Sequence, residues 1–240
     1  MNYDFTRFQK ILEKWEIPFS KEQQEQLITY YEMLVEKNKV MNLTAITEFE
    51  DVLDKHFLDS ISLAQYVDLA KPLSMIDLGT GAGFPGMPLK IMFPDLKITL
   101  ADSLNKRILF LDEVIAELGL TDIQTVHARA EDLAHDPKYR EQYDYCVSRA
   151  VANLSSLSEY CLPFVRIGGS FISYKSGEIE EELAAAKKAI FLLGGQFEQV
   201  IPFQLEGTDL NRSFVVIKKE KKTAKTYPRK SGMPTKKPLG

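Results

Sequence analysis

Cysteine is scarce: Cys146 and Cys161 are the two thiols among 240 residues. Two thiols outside Cys-x-x-Cys spacing supply neither a disulfide framework nor a metal or redox motif, so buried free thiols are expected. Long hydrophobic runs are also missing. No segment approaches the roughly 18 apolar residues of a membrane span. The stretch from Met1 to Lys10 is too polar for a signal peptide, and a cytoplasmic chain is the expectation. Hydrophobic residues at 45% and charged residues at 27% match ordinary globular composition, which leaves the C-terminus as the place for disorder. A chain of this length builds one substantial core with a smaller extension, and two full domains would be cramped.

The net charge of -4 conceals an asymmetry. Lys218 to Gly240 holds 9 basic residues against 1 acid, or +8, so the preceding 217 residues carry 21 basic against 33 acidic, or -12. Unless this charge merely solubilises, such a tail attracts a polyanion that much of the body repels. Contact is then expected at localised basic patches.

The first 70 residues read as helical. Phe5, Phe8, Ile11, Leu12 and Trp15 recur at helical spacing, Pro18 stops that run, and Ser20 is a plausible N-cap for the next. Leu27, Ile28, Tyr31, Leu34 and Val35 form a second stripe, and Phe49 to Leu69 carries a third that includes His56, Phe57 and Ser60. His56 on that apolar face reads as a hydrogen-bonded core histidine rather than a catalyst. Asn42 to Ile46 lies between the stripes and matches no local pattern.

After Pro72 short apolar runs alternate with amphipathic helices, the signature of βαβ units and a mainly parallel sheet. Strands are predicted at Ser74 to Leu78, Ile98 to Ala101, Ile123 to His127, Tyr145 to Ser148 and Ser170 to Tyr174. Intervening helices start near Pro85, Ser103, Asn153 and Glu178; the one from Ser103 has a Ser N-cap and ends at Gly119. Gln199 to Leu205 and Ser213 to Lys218 have no helix between them and should pair antiparallel. The resulting architecture is α/β, a doubly wound seven-stranded sheet with a C-terminal hairpin. Its parts are a helical extension (1–70), a ligand-binding domain (71–219) and a basic tail (220–240), the tail mobile unless bound.

The strongest local signal runs from Met75 to Gly86, where Met75-Ile76-Asp77-Leu78 enters Gly79-Thr80-Gly81-Ala82-Gly83-Phe84-Pro85-Gly86. Gly81-x-Gly83-x-x-Gly86 satisfies the dinucleotide fingerprint, so a nicotinamide or flavin enzyme must be weighed. Gly79 and the strand-end acid Asp77 favour S-adenosylmethionine instead. A carboxylate beside the turn suits a zwitterion with a sulfonium, but opposes a pyrophosphate at the helix N-terminus. Asp102 ends the second strand, where this fold places an acid for ribose hydroxyls; its bland reading is a surface or N-capping carboxylate. Ala130 and Glu131 follow the third strand, where a loop meets an adenine.

Together these residues resemble the glucose-inhibited division protein B family, the RsmG type of 16S ribosomal RNA guanine-N7 methyltransferase. The resemblance spans nearly the whole chain. It is carried by Asn42-Leu43-Thr44-Ala45-Ile46, His56-Phe57-Leu58-Asp59-Ser60, the glycine turn, Asp102-Ser103-Leu104-Asn105-Lys106-Arg107, Ser148-Arg149-Ala150 and Tyr227-Pro228-Arg229-Lys230. Asn105 stands where the family often has glycine, a minor departure. The resemblance implies a class I methyltransferase sheet and an S-adenosylmethionine pocket using Gly79, Phe84, Asp102, Ala130, Glu131 and Arg149, to which the turn adds Asp77 and Gly81. It implies as acceptor a guanine in the decoding-region loop of small-subunit RNA, free or in a ribosomal particle, and points to Arg129, Lys175 and Arg212 as functional basic residues. Read as residues, Arg149 suits either donor or target nucleotide, or a structural ion pair. Tyr227, Arg229 and Lys230 combine a stacking ring with phosphate-directed charge.

The chemistry agrees with what is missing. The fourth strand runs into Ser148-Arg149-Ala150-Val151 rather than a Pro-Pro-Tyr type motif that grips an exocyclic amine. Neither cysteine lies in the exposed, electropositive setting that a thiolate nucleophile needs. Guanine N7 offers a free lone pair, so no general base and no metal are nominated. Two other classes stay open on the residues, a noncatalytic RNA or ribosome-assembly binder and an NAD-dependent oxidoreductase.

Overall fold

Ser20 begins the second helix as its spacing predicts. Its side chain accepts from the Gln23 N–H while the Gln23 side chain accepts from the Ser20 N–H, a reciprocal capping box. The computed structural model describes residues 3–149 and 152–240. Ala150 and Val151, part of the motif after the fourth strand, lie outside the described residues.

Helix α1 (Thr6–Lys14) and α2 (Lys21–Met41) are followed by a continuous helical stretch of changing pitch. It comprises α3 (Phe49–Val52), a π-helical segment Leu53–Leu58, α4 (Asp59–Ile61) and a 3-10 turn Ser62–Gln65. Between α2 and α3 the structure supplies the account that local sequence lacks. Asn42 ends α2 with φ 48, in the left-handed region that asparagine tolerates. Asn38 Oδ1 then accepts from the Leu43 and Thr44 N–H groups at 2.6 and 2.9 Å. This elbow sets Thr44 Oγ1 2.8 Å from His56 Nε2, so Asn42 to Ile46 is a bracket for one histidine.

The sheet contains β1 (Ser74–Leu78), β2 (Lys97–Asp102), β3 (Ile123–His127), β4 (Tyr143–Ser148), β5 (Val165–Ser176), β6 (Gly195–Gln204) and β7 (Asn211–Lys219). Spatial order is β3-β2-β1-β4-β5-β7-β6, parallel except β7, which is antiparallel to β5 and β6. Alternation divides each strand between two cores. Phe214 and Val216 join the cluster that also holds Phe8, Leu12, Tyr30, Leu34 and Phe57, whereas Val215 and Ile217 face the opposite cluster with Cys146, Leu157 and Ile190. The N-terminal helices thus form a layer on one sheet face and share its core.

Helices α5 (Gly86–Met92), α6 (Asn105–Glu117), α7 (Ala130–Leu133), α8 (Leu154–Cys161) and α9 (Glu180–Leu192) connect the strands. A helix starts near Asn153 as expected, and Asn153 caps it, its Oδ1 accepting from the Ser156 N–H. Ser103 does not cap α6. The N-cap is Leu104, and the Asp102 carboxylate reaches forward to accept from its N–H at 2.9 Å. The acid wins because it already ends β2 and points along the same turn.

The largest departure from the sequence reading is the tail, which is docked along the body. Arg140 donates to the carbonyls of Thr223, Ala224 and Tyr227, and His135 Nε2 lies 3.0 Å from the Pro228 carbonyl. Arg229 donates through Nε and Nη2 to the buried Glu159 of α8, whose Oε1 also accepts from the Arg229 N–H. Beyond it a short helix, α10 (Met233–Lys236), packs on α8, with Ser156 Oγ donating to the Pro234 carbonyl. Composition marks the segment as mobile, but it omits the acceptors and donors waiting on α7 and α8.

Candidate donor and acceptor cavities

The strand order reverses between β1 and β4, which opens a crevice at their carboxyl ends. Two cavities lie there, and Ala152 lines both. The first, about 390 Å³, is walled by Gly79 after β1, Asp102 and Ser103 at the end of β2, Ala128 to Glu131 after β3, and Tyr160 of α8. Its size falls in the range of ordinary small-molecule sites, roughly 300 to 1,000 Å³.

Local sequence explains this cradle. Gly81 has φ 62, and a Cβ there would meet nothing within 4 Å, so backbone conformation alone asks for glycine. Gly83 differs. Its φ of 108 is combined with Met87 Cγ, Tyr30 Oη and Leu111 Cδ2 at 2.6 to 2.8 Å from an added Cβ, so the turn is clamped between α2, α5 and α6. Asp102 Oδ2 accepts from the Gly81 N–H at 3.0 Å and from Arg107 at 3.2 Å, which ties the turn to the next strand end. A carboxylate has about four lone-pair sites, so this acid retains capacity for a ligand hydroxyl.

Asp77 does not line the cavity. It is fully buried beneath the turn, where Oδ2 accepts from Thr80 Oγ1 and the Gly86 N–H at 2.7 and 2.8 Å. Burial pushes its carboxyl up to about 6, and the two hydrogen bonds offset part of that rise. The carboxylate thereby occupies the start of α5, where a dinucleotide fold seats its pyrophosphate. Phe84 is likewise a supporting residue. Its ring is buried and stacks on His56 at 4.4 Å.

The second cavity, about 580 Å³, is lined by Lys55, His56 and Asp59 of the N-terminal layer and by Arg149, Tyr174, Lys175, Glu182 and Arg212. Four cations stand against two carboxylates. The π-helical pitch of Leu53–Leu58 presents both the Lys55 carbonyl and His56 to Arg149, whose guanidinium donates to each at 3.2 Å. Because Arg149 only donates, His56 Nδ1 is the acceptor and the Nε2 proton belongs to the Thr44 contact. Burial and the Arg149 charge lower the His56 pKa to about 3, so the imidazole is neutral. This is the core histidine of the sequence reading, although it also faces the crevice.

The placement of the remaining residues sorts the sequence expectations. Gly79, Asp102, Ala130 and Glu131 surround the first cavity, whereas Arg149, assigned there by resemblance, belongs to the second. Asp59, which carries no role in the sequence reading beyond its motif, pairs with both Arg149 and Arg212. Lys175 closes the second cavity and donates to Glu182 and the Ala152 carbonyl. Arg129 lines the first cavity and donates to Ser231 Oγ at 2.9 Å. Arg229 is committed to Glu159, so its charge is neutralised within the protein instead of being directed at phosphate. Lys230 is exposed. Sequence reasoning missed Gly232 and Thr235, which come from the tail to line the first cavity. Their only early signal was the Tyr227 to Lys230 motif beside them.

Comparison with known proteins identifies a family. The family described as rRNA small subunit methyltransferase G matches residues 23–213. A protein of Clostridium novyi (strain NT), named ribosomal RNA small subunit methyltransferase G, is 50% identical over 227 residues, covering 95% of this chain and 93% of the relative. One of the same name from Alkaliphilus metalliredigens (strain QYMF) is 54% identical over 217 residues, covering 90% and 91%. Among solved structures, a SAM-dependent methyltransferase from Aquifex aeolicus superposes with a TM-score of 0.52 at 15% identity, over 70% of this chain and 92% of the other. TrmN from Thermus thermophilus gives 0.51 at 18% identity, over 70% and 53%. These two show the fold alone. With a family match over most of its length and relatives about half identical over at least 90% of it, this chain belongs to the small-subunit ribosomal RNA methyltransferase G family.

Proposed function

We propose that the chain transfers a methyl group from S-adenosylmethionine to N7 of a guanine in the decoding-region loop of 16S ribosomal RNA. The observation that carries this reading is the pair of adjoining cavities at the strand crossover, one cradled by glycines and buried acids, the other rich in cations. The residues of the first fit an adenosyl sulfonium better than a dinucleotide. Asp102 and Glu131 are its buried charges, and Asp77 already fills the position of a pyrophosphate. Asp102 suits ribose hydroxyls, Ala130 and Glu131 an adenine, and the Gly79 to Gly81 backbone the amino-acid end. When bound, S-adenosylmethionine supplies a methyl carbon made electrophilic by its sulfonium.

The second cavity supports an acceptor that needs no proton removed. His56 is neutral with both ring nitrogens engaged, Asp59 is held by two guanidiniums, and Glu182 by Lys175. No free base remains among the described lining residues, and guanine N7 requires none. Rate enhancement then comes from holding the purine in line, an effect worth about 7 to 11 kcal/mol in favourable cases. Arg149 and Arg212 share the one carboxylate of Asp59 and so leave net positive charge for the flanking phosphates, which fix register more than sequence.

The test uses small-subunit RNA and particles from cells lacking the protein. One methyl group should be incorporated, and the modified position should become cleavable by reduction and aniline treatment. Transfer without cleavage would assign another atom. Calorimetry should show S-adenosylmethionine binding near micromolar, about -8 kcal/mol, with NAD giving no heat.

A further inference from the structure

The tail meets residues of the donor-cavity wall at three points and enters the lining at two of them. Gly232 and Thr235 belong to its lining, and Thr235 Oγ1 lies 2.8 Å from the hydroxyl of Tyr160, another lining residue. The Gly232 N–H donates to Glu131 Oε1 at 2.8 Å, and Arg129, two residues before Glu131, donates to Ser231 Oγ. Glu131 is nearly buried, yet Oε2 carries no hydrogen bond among the described residues and is not sealed from solvent. A buried carboxylate with one oxygen fixed and the other open is an oriented acceptor.

We propose that the C-terminal strap Ser231 to Thr235 is a working part of the donor site: Gly232 positions Glu131, and Thr235 with Tyr160 completes the cavity wall. This rests on the reading of that cavity as the S-adenosylmethionine pocket. Gly232 has φ 77 and a Cβ there would meet nothing, so the glycine serves the left-handed turn that aims its N–H at Glu131 rather than a tight fit. The strap is held independently of any ligand. Arg229 and Glu159 form a multiply hydrogen-bonded ion pair just before it, and α10, which holds its residues Met233 to Thr235, packs on α8. A pre-formed wall spares the ligand the entropy of ordering one.

The probe is S-adenosylhomocysteine, titrated calorimetrically into the full chain, into Gly232→Ala, and into a chain ending at Lys230 that retains the Arg229–Glu159 pair. The expected result is at least about tenfold weaker binding by the shortened chain and about threefold or more by Gly232→Ala. Circular dichroism of Gly232→Ala should match the parent, and its ligand-free melting temperature should fall only by the strain of a left-handed alanine, as at Gly81. If the shortened chain fails to fold by circular dichroism, Gly232→Ala decides. Equal affinity in the folded variants overturns the proposal. Failure of the full chain itself to bind the probe overturns the donor-pocket reading beneath it.

Discussion

Asp59 Oδ2 accepts from Arg149 at 2.8 Å while its Oδ1 accepts from Arg212 at 2.9 Å, so one buried carboxylate aims two guanidiniums at the second cavity. The partners arrive from α4, the end of β4 and the start of β7. One acid between two cations leaves a net positive charge while fixing the direction of both. Removing a single partner of such a cluster is costly because the others keep their desolvation penalty. Asp59→Ala is therefore expected to destabilise by about 3 kcal/mol, read as the urea midpoint, and to raise KM for RNA. Unchanged stability and KM would reduce Asp59 to a bystander.

Two buried groups give opposing pH dependences. His56 is held neutral, with its pKa near 3, so its unfavourable contribution grows as pH falls below the ordinary value of 6.5 and is complete near 3. Asp77 has its pKa raised from 3.8 to about 6, so its contribution is lost as pH rises through that interval. Between pH 4 and 6 the slopes oppose each other. Unfolding free energy measured across this window should rise more steeply with pH in Asp77→Asn than in the parent, and fall relative to the parent in His56→Gln. Parallel curves for all three would contradict these assignments.

Adjacent basic residues in the tail should behave differently. Arg229 is paired with a fully buried glutamate, so Arg229→Ala strands that charge and is expected to cost about 3 to 5 kcal/mol. Lys230 is exposed, and Lys230→Ala should change stability by less than about 0.5 kcal/mol. If Lys230 meets RNA phosphate, its loss lowers the slope of log affinity against log salt by about one. Melting curves and salt titrations of the two variants separate anchoring from RNA contact.

The glycine turn offers a graded test. Gly81→Ala places a Cβ in open space and bears only the left-handed backbone cost, about 1 to 2 kcal/mol. Gly83→Ala adds collisions with Met87, Tyr30 and Leu111, and is expected to cost roughly 1 to 3 kcal/mol more. Denaturant midpoints should rank the parent above Gly81→Ala and Gly81→Ala above Gly83→Ala; the reverse order for the two variants would refute the clamped-turn reading.

What the sequence determined by itself was the architecture and the glycine turn. Periodicity of two and of 3.6, with Gly, Pro, Ser and Asn as punctuation, acts over a few residues, so all seven strands, the cap at Ser20 and the helix start near Asn153 are legible locally. Asp102, Gly79, Ala130 and Glu131 were legible for a related reason: each terminates or follows a strand, and parallel strands deliver their carboxyl ends to one edge. Tertiary structure alone decided which charges were already spent. Arg149 meets Asp59, Arg229 meets Glu159 and Gly232 meets Glu131 across 90, 70 and 101 residues of chain. No local pattern encodes such pairings, because an ion pair or a hydrogen bond depends on distance in space and on desolvation, and both are set only when the layers close.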